Sequence, residues 1–390
     1  MKKALLLSLA LLSPFSVKAD RFEAGNSPNF FKNLSGTEMI QNFSYLPLAG
    51  NQLDDRYGWS ETYWPSNLGG IAYRWSHPNP EPFKYKLYSR EELKKMSQQQ
   101  LSQLSPAEMY DIAMDDYNYT LTKKTLGRFT RHDLWWEGIC HGWSQAATNY
   151  PEPTSVIVIN KDGIKVPFGS SDVKGLLAMH EAYNYGGRFS FTGRRCKVPG
   201  KVPGEGDNRD RNTNPPEPEL ANSDDCRDVN AGAFHVVLTN MIGIHGRGFV
   251  ADIDRFNDVW NQPITSYTGS IIGEEALNEV DLSSGVSRKI RLKMKMTYGE
   301  ELKFFTPELA ATGVQNFVSK KPVTGTPHQE FRHKDYEYIL EIDRAGKVVG
   351  GSWVSETRPD FMWMYQRSTK FKSSPMPLAG LSKIYRPIRR

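Results

Sequence analysis

The spacing of apolar residues predicts helices in the first half of the chain. Between residues 89 and 117, apolar side chains recur at the interval typical of one face of an amphipathic helix, and this set comprises Leu101, Leu104, Met109, Ile112 and Met114. Ser89 precedes an acidic stretch and is the predicted N-terminal cap of one or two helices here. A further helix is predicted from Ser171 to about Tyr185.

The second half of the chain has the β-branched and aromatic content of strands. One strand is predicted among the helices, at residues 154–159, and those of the second half cover residues 233–239, 248–253, 257–268, 287–298, 336–343 and 348–353. Glycines at 163 and 346 indicate turns after the first strand and before the last. Because helices come first and strands later, we predict an α+β fold in which helices pack on an antiparallel sheet.

Residues 1–19 have the features of an export signal. Lys2 and Lys3 precede a short apolar run, and Val17 and Ala19 lie at the positions that a signal peptidase inspects. The apolar run is too short to cross a bilayer, so we expect a secreted or periplasmic protein without stable membrane insertion. Removing the segment takes away three lysines and no acidic residue, which lowers the formal net charge from +5 to +2. That charge implies no nucleic-acid partner.

The rest of the chain divides into three regions by composition. Residues 20–84 are rich in Asn, Gly, Pro and Tyr, which predicts an irregular N-terminal arm that is either wrapped on the surface or removable as a pro-segment. Residues 85–370 contain the predicted helices and most of the strands, and form the expected catalytic domain. Residues 371–390 are expected to form a basic C-terminal tail.

The chain has 3 cysteines, an odd number for an oxidising compartment. Cys196 and Cys226 enclose a segment rich in Pro, Gly, Asn and Asp, so we predict a disulfide that closes the loop of residues 196–226. On the chain-entropy model this bond contributes roughly 3–4 kcal/mol. Cys140 is then left over, and an unpaired thiol in an exported protein is a liability unless it is buried or used.

Cys140 has the sequence context of a nucleophile. It lies at the predicted start of a helix, where the turn around Gly138 gives way to small, helix-favouring residues. The unpaired N–H groups of a helix's first turn favour thiolate over thiol, which lowers the pKa of a cysteine toward the reactive range. The alternative interpretation is a small buried hydrophobic residue, because free cysteine is among the most buried residue types.

A thiol nucleophile needs a base, and the base needs a third group that holds its tautomer. Of the 8 histidines, His235 lies in a predicted buried strand, and Asp252 follows on the predicted partner strand, where both side chains share one face. We therefore predict a triad of Cys140, His235 and Asp252, with Asp254 as the rival acid. This order along the chain is that of papain-like thiol enzymes. The alternative is a core histidine and a surface carboxylate.

The segment Val259–Pro263 reads Val-Trp-Asn-Gln-Pro. It resembles the peptide that plants recognise in the cell-wall transglutaminases of plant-pathogenic oomycetes. The resemblance extends to Cys-His-Gly-Trp at 140–143, to the segment 234–243 and to the segment 350–363, and it covers roughly residues 85–365. After Pro263 the chain departs from the family's usual Val-Arg-Gly-Phe, and His141 stands where that family usually has Asn.

The resemblance implies a protein-glutamine gamma-glutamyltransferase on a papain-like fold. Such an enzyme joins glutamine side chains to primary amines through a thioester on its cysteine, and Cys140, His235 and Asp252 would be nucleophile, base and orienting acid. The implied partners are glutamine- and lysine-bearing proteins and polyamines. The sequence requires no cofactor or metal; calcium is possible by resemblance, although we find no spaced carboxylates typical of a calcium loop.

Aromatic residues near the nucleophile have predicted supporting roles. We expect Trp135, Trp136 or Trp143 to shield the thioester from water. One of their indoles is also expected to join the Cys140 backbone N–H in binding an oxyanion.

The motif residues Trp260, Asn261, Gln262 and Pro263 are expected to support Asp252. In this hypothesis Trp260 packs beneath the strands of the triad and Pro263 sets the exit from its strand. The alternative is that both simply fill the core.

Two other functions stay open at this stage. The same triad would serve a thiol protease or peptide amidase, in which water resolves the thioester. A non-enzymatic exported protein that binds polypeptides would instead place Cys140 far from His235 or pair it with another cysteine. Both enzyme interpretations predict an accessible, readily alkylated thiol.

Overall fold

The computed structural model describes residues 22, 25–75, 81–184, 186–195, 228–255, 259–302, 330–368 and 370–389. The predicted export signal and both cysteines of the predicted disulfide, Cys196 and Cys226, lie outside these residues. Export and the disulfide therefore stay predictions.

The helices of the described chain are short. They are α1 Lys32–Ser35, α2 Arg90–Leu93, α3 Gln98–Leu101, α4 Pro106–Ala113, α5 Thr120–Leu126, α6 Cys140–Asn149, α7 Ser170–Tyr183, α8 Ala231–Leu238, α9 Glu279–Ser283 and α10 Leu381–Ile384. Ser89 caps α2 as predicted, and Ser97 and Ser105 begin α3 and α4 with the same capping box. The region 89–117 thus holds three helices rather than one or two. In the described part of the chain, no helix has the length and apolarity needed to cross a membrane.

The strands form one large antiparallel sheet and a separate hairpin. They are β1 Ala49–Asn51, β2 Val156–Ile159, β3 Lys165–Phe168, β4 Phe189–Gly193, β5 Phe249–Asp252, β6 Asn261–Glu275, β7 Val286–Gly299, β8 Phe331–Asp343, β9 Val348–Trp353 and β10 Phe361–Tyr365. The sheet order is β4-β10-β5-β6-β7-β8-β9, with β1 added to β6, and β2 pairs with β3. The α+β class is confirmed, and α6 packs on β5 and β6.

The hydrophobic core has two main clusters. The helical cluster lies around α4, α6 and α7, and the sheet cluster lies between α8 and strands β5–β9. Trp59, Trp64 and Ile71 of the predicted arm are fully buried in the helical cluster. These side chains therefore contribute to the core, and the division of the chain into an arm or pro-segment, a catalytic domain and a tail stays a prediction. Leu381 and Ile384 of the predicted tail are buried there as well.

The predicted strand 233–239 is wrong, because residues 233–238 belong to helix α8 and Thr239 begins a π-helical turn, Thr239–Ile244. The side-chain oxygen of Asn230 accepts hydrogen bonds from the N–H groups of Gly232 and Ala233, which caps the helix. Every residue of α8 is buried, so the helix has no polar face. A helix that is apolar all round cannot be told from a buried strand by periodicity, and Val236 and Val237 add the β-branched content of a strand.

Strand β5 consequently has partners other than the predicted one. It pairs with β6 on one side and with β10 on the other. Its residues alternate between two faces, as they must in a strand: Phe249 and Ala251 pack in the sheet cluster with α8, whereas Val250 packs with Trp363 on the other face. Asp252 follows Val250 by two positions and shares its face, which is the face toward α6.

Candidate active site

Cys140 is the first residue of α6, as the sequence predicts. The Ile139 N–H donates to the carbonyl oxygen of Tyr63 at 2.7 Å, which anchors the turn that leads into the helix. Gly142 lets α6 approach α7 closely, because a Cβ at this position would lie 2.1 Å from the carbonyl oxygen of Ala178. These contacts hold the start of the helix against Tyr63 and α7, and Cys140 is only 7% exposed.

The Cys140 sulfur lies against the motif segment. Its thiol donates to the carbonyl oxygen of Val259 at 3.7 Å, and the Asn261 Nδ2 donates to the sulfur at 3.8 Å. The pKa of the thiol is raised to about 11: burial is the largest cause, the charge of Glu301 and more weakly that of Asp252 act in the same direction, and the hydrogen bonds from Asn261 oppose them. The predicted lowering of this pKa is therefore wrong: desolvation outweighs the helix-start effect, and the resting thiol is neutral at pH 7.

Asp252 and Asp254 differ in their surroundings. Asp252 ends β5 opposite Asn261, and its Oδ1 accepts the Trp260 backbone N–H at 3.0 Å. Asp254 lies beyond the strand, where its carboxylate is 3.9 Å from the Lys334 ammonium. Of the two, Asp252 faces α6 and acts electrostatically on Cys140.

The motif Val259–Pro263 supports Asp252 through its backbone. Trp260 is buried, with its ring centroid 6.2 Å from that of Tyr63 in an edge-on arrangement. Gln262 and Pro263 lie inside β6, opposite Ala251 and Val250. Pro263 therefore does not set the exit from its strand; it sits near the beginning of β6.

His235 lies in α8 and not in a strand. Its Nδ1 and the Tyr338 hydroxyl form a hydrogen bond of 2.8 Å, and its ring stacks on Phe43 with centroids 6.0 Å apart. Its Nε2 is buried without a hydrogen-bond partner in the described chain. Burial lowers the pKa of His235 to about 3, so the imidazole is neutral at physiological pH.

The structure does not bring His235 to Cys140. Helix α8 packs on β8 and β9 within the sheet cluster, whereas α6 contacts the face of β5 and β6 that carries Asp252 and Asn261. The alternation of β5 separates these two faces. Cys140 and Asp252 are thus brought together, and the sequence-based assignment of His235 as their base has no support in the geometry.

The three tryptophans near the nucleophile have different environments. Trp143 is fully buried, and its Nε1 donates to the Trp59 carbonyl oxygen at 3.0 Å, so it is a core residue. Trp136 is partly buried, and its Nε1 has no hydrogen-bond partner in the described chain. Trp135 is 45% exposed, with its ring 6.5 Å from that of Trp260. Only Trp135 combines exposure with contact to the motif.

The comparison with protein families decides the relationship. The model of the family described as "Transglutaminase elicitor" matches residues 29–383, which is most of the chain. The chain belongs to the transglutaminase elicitor family. The resemblance predicted from Val259–Pro263 is thereby confirmed.

A solved structure has the same fold as this transglutaminase elicitor chain. The crystal structure of the GP42 transglutaminase from Phytophthora sojae aligns with a TM-score of 0.61 at 20% identity, over 93% of this chain and 97% of that chain. No curated protein matches the chain.

Sequence reasoning missed two neighbours of the sulfur in this transglutaminase elicitor chain. Asn261 was assigned only to the supporting motif, although its amide contacts Cys140. Glu301 follows β7, and its backbone forms an isolated parallel β-bridge with that of Glu61. No local sequence pattern indicates this long-range pairing. The motif itself was the available signal for Asn261.

The described residues offer no cluster of three or more His, Cys, Asp or Glu side chains suited to a metal ion. Calcium stays a prediction from the resemblance.

Proposed function

We propose that the protein is an exported protein-glutamine gamma-glutamyltransferase with Cys140 as its nucleophile. The observation that carries this proposal is the family match over residues 29–383, together with an unpaired cysteine at the start of α6 beside the family's motif. The proposed partners are proteins or peptides with accessible glutamine and lysine side chains, and polyamines.

The proposed reaction has two steps. The Cys140 sulfur attacks the carboxamide carbon of a glutamine side chain, the new S–C bond replaces the C–N bond, and the thiol proton leaves with ammonia. A primary amine then attacks the thioester, a C–N bond replaces the S–C bond, and an amine proton returns to the sulfur. The product is an isopeptide bond, and the thiol is regenerated.

The neutral thiol requires a proton acceptor. The carboxylates of Glu301 and Asp252 act electrostatically on the Cys140 thiol. The His235 ring is instead hydrogen-bonded to the Tyr338 hydroxyl. We therefore assign the acceptor role to Asp252, whose Oδ1 is held by the Trp260 N–H. A carboxylate in this role acts as the sulfur attacks, because the thiol becomes far more acidic as its S–C bond forms.

A second candidate is an exported protein that binds polypeptides without turnover. The buried, neutral thiol and the position of His235 away from it favour this candidate. The family match favours the transferase, which also accommodates both observations if substrate binding opens the site.

The test is incorporation of a fluorescent primary amine into a glutamine-rich protein, with ammonia and released peptides measured in the same reactions. We expect incorporation and equimolar ammonia with the wild type, and a loss of about 10³-fold or more with Cys140→Ala. Incorporation by neither protein, at matched folding, overturns the transferase. Peptide release instead of incorporation assigns a protease.

A further inference from the structure

The side-chain amide of Asn261 is directed at the Cys140 sulfur. Its Nδ2 lies 3.8 Å from the sulfur. The sulfur lies between this donor and the carbonyl oxygen of Val259, to which the thiol donates at 3.7 Å. The side chain of one residue of β6 thus presents a donor to the reacting atom.

The indole of Trp363 fixes which end of the Asn261 amide faces the sulfur. Trp363 lies on β10, and its Nε1 donates to the Asn261 Oδ1 at 2.6 Å. An indole N–H can only donate, so the amide oxygen must face it. If the amide were rotated by 180°, its NH₂ group would face the indole N–H, and two donors would lie 2.6 Å apart. The NH₂ group is therefore left to face Cys140.

Packing holds this pair in place. Asn261 and Trp363 are 5% and 7% exposed. The Trp363 ring lies edge-on to Tyr365 at 5.8 Å and near Phe189 at 6.5 Å. A buried hydrogen bond between fully packed partners keeps one geometry and loses little on reorganisation during a reaction.

We infer that Asn261 is a catalytic donor that stabilises negative charge on the Cys140 sulfur, and that Trp363 is the positioning residue that aims its amide. This inference rests on the proposed role of Cys140 as nucleophile. A hydrogen bond to the charged form of a group favours that form. Within a pocket whose carboxylates disfavour the thiolate, Asn261 supplies the opposing interaction.

The experiment measures the rate at which iodoacetamide alkylates Cys140 as a function of pH in the full chain, with the Cys140 peptide quantified by mass spectrometry. Asn261→Leu removes the donor at similar volume, and we expect its rate profile to move to higher pH by about one unit. Trp363→Phe keeps an aromatic ring but removes the indole N–H that holds the Asn261 amide. We expect its rate profile to move to higher pH by about half a unit. Asn261→Asp keeps the indole's acceptor and replaces the donor with a charge, which displaces the profile further.

The matched control is Trp353→Phe. The Trp353 Nε1 donates to the Val229 carbonyl oxygen at 2.7 Å in the sheet cluster, so its loss costs a similar hydrogen bond away from the sulfur. Its profile should superimpose on that of the wild type. Profiles of Asn261→Leu and Trp363→Phe that superimpose on the wild type overturn the inference. If Asn261→Leu does not fold, Trp363→Phe and Asn261→Asp decide.

Alkylation does not require turnover, which separates this inference from the proposed function. A displaced profile in a protein that incorporates no amine would support the donor role of Asn261 and overturn the transferase. Amine incorporation with unchanged profiles would support the transferase and overturn the donor role.

Discussion

The two faces of the large sheet bury polar groups in different surroundings. On one face, Cys140 contacts Asn261 and lies in the field of Asp252 and Glu301. On the other, His235 is bonded to Tyr338 and stacked on Phe43 within an apolar cluster. The first face combines a candidate nucleophile with an amide donor and carboxylates, whereas the second holds a buried histidine that is hydrogen-bonded through Nδ1. A histidine that follows a cysteine in the chain order of a catalytic triad can therefore be a packing residue.

The largest effect after loss of the nucleophile is expected for Asp252→Asn. The substitution keeps an oxygen that accepts the Trp260 N–H but removes the proton acceptor, so amine incorporation (kcat/KM) should fall about 10²-fold. Asp254→Asn is the control, because the Asp254 carboxylate faces Lys334 instead. A large loss with Asp254→Asn and none with Asp252→Asn would reverse the assignment.

His235→Phe should reduce stability rather than activity. It removes the hydrogen bond to Tyr338, so we expect the free energy of unfolding to fall by about 1–3 kcal/mol, measured by urea denaturation. The kcat/KM of the folded fraction should stay within about threefold of wild type, since the ring lies on the other face. Tyr338→Phe is the matched variant, with a similar loss of stability. A hundredfold loss of kcat/KM in a fully folded His235→Phe protein would make His235 catalytic.

Glu301→Gln is expected to give the smallest effect. Its charge raises the pKa of Cys140, so the neutral variant should be alkylated by iodoacetamide about two- to fivefold faster at pH 8. Glu300→Gln is the control, because Glu300 pairs with Arg332 at 2.5 Å. Equal alkylation rates for Glu301→Gln and wild type would show that the Glu301 charge does not act on Cys140.

Local patterns were sufficient for much of the fold. Capping at Ser89, the helix that begins at Cys140 and strands β5–β9 follow from residues that are neighbours in sequence. Helix α8 was misassigned because burial on all sides erases periodicity; the capping residue Asn230 was the signal that could have corrected it.

The site depends on contacts that sequence patterns do not encode. Asn261 contacts Cys140 although the two residues are 121 positions apart in the chain. Glu301 lies near the site only because distant segments pack together. The direction of the Cys140 pKa shift depends on burial, which is a property of the whole fold. The helix that begins at Cys140 and the strand that ends at Asp252 could be predicted from local patterns, whereas the placement of His235 could not.

The central claim is that Cys140 rests as a neutral thiol among carboxylates and amide donors, without an imidazole partner. The most direct measurement is the rate of alkylation of Cys140 by iodoacetamide from pH 5 to pH 10 in wild type and His235→Gln. We predict a rate that rises about tenfold per pH unit between pH 7 and pH 10 without a plateau, and the same profile in both proteins. A plateau between pH 5 and pH 8 that His235→Gln abolishes would show a thiolate–imidazolium pair and contradict the account.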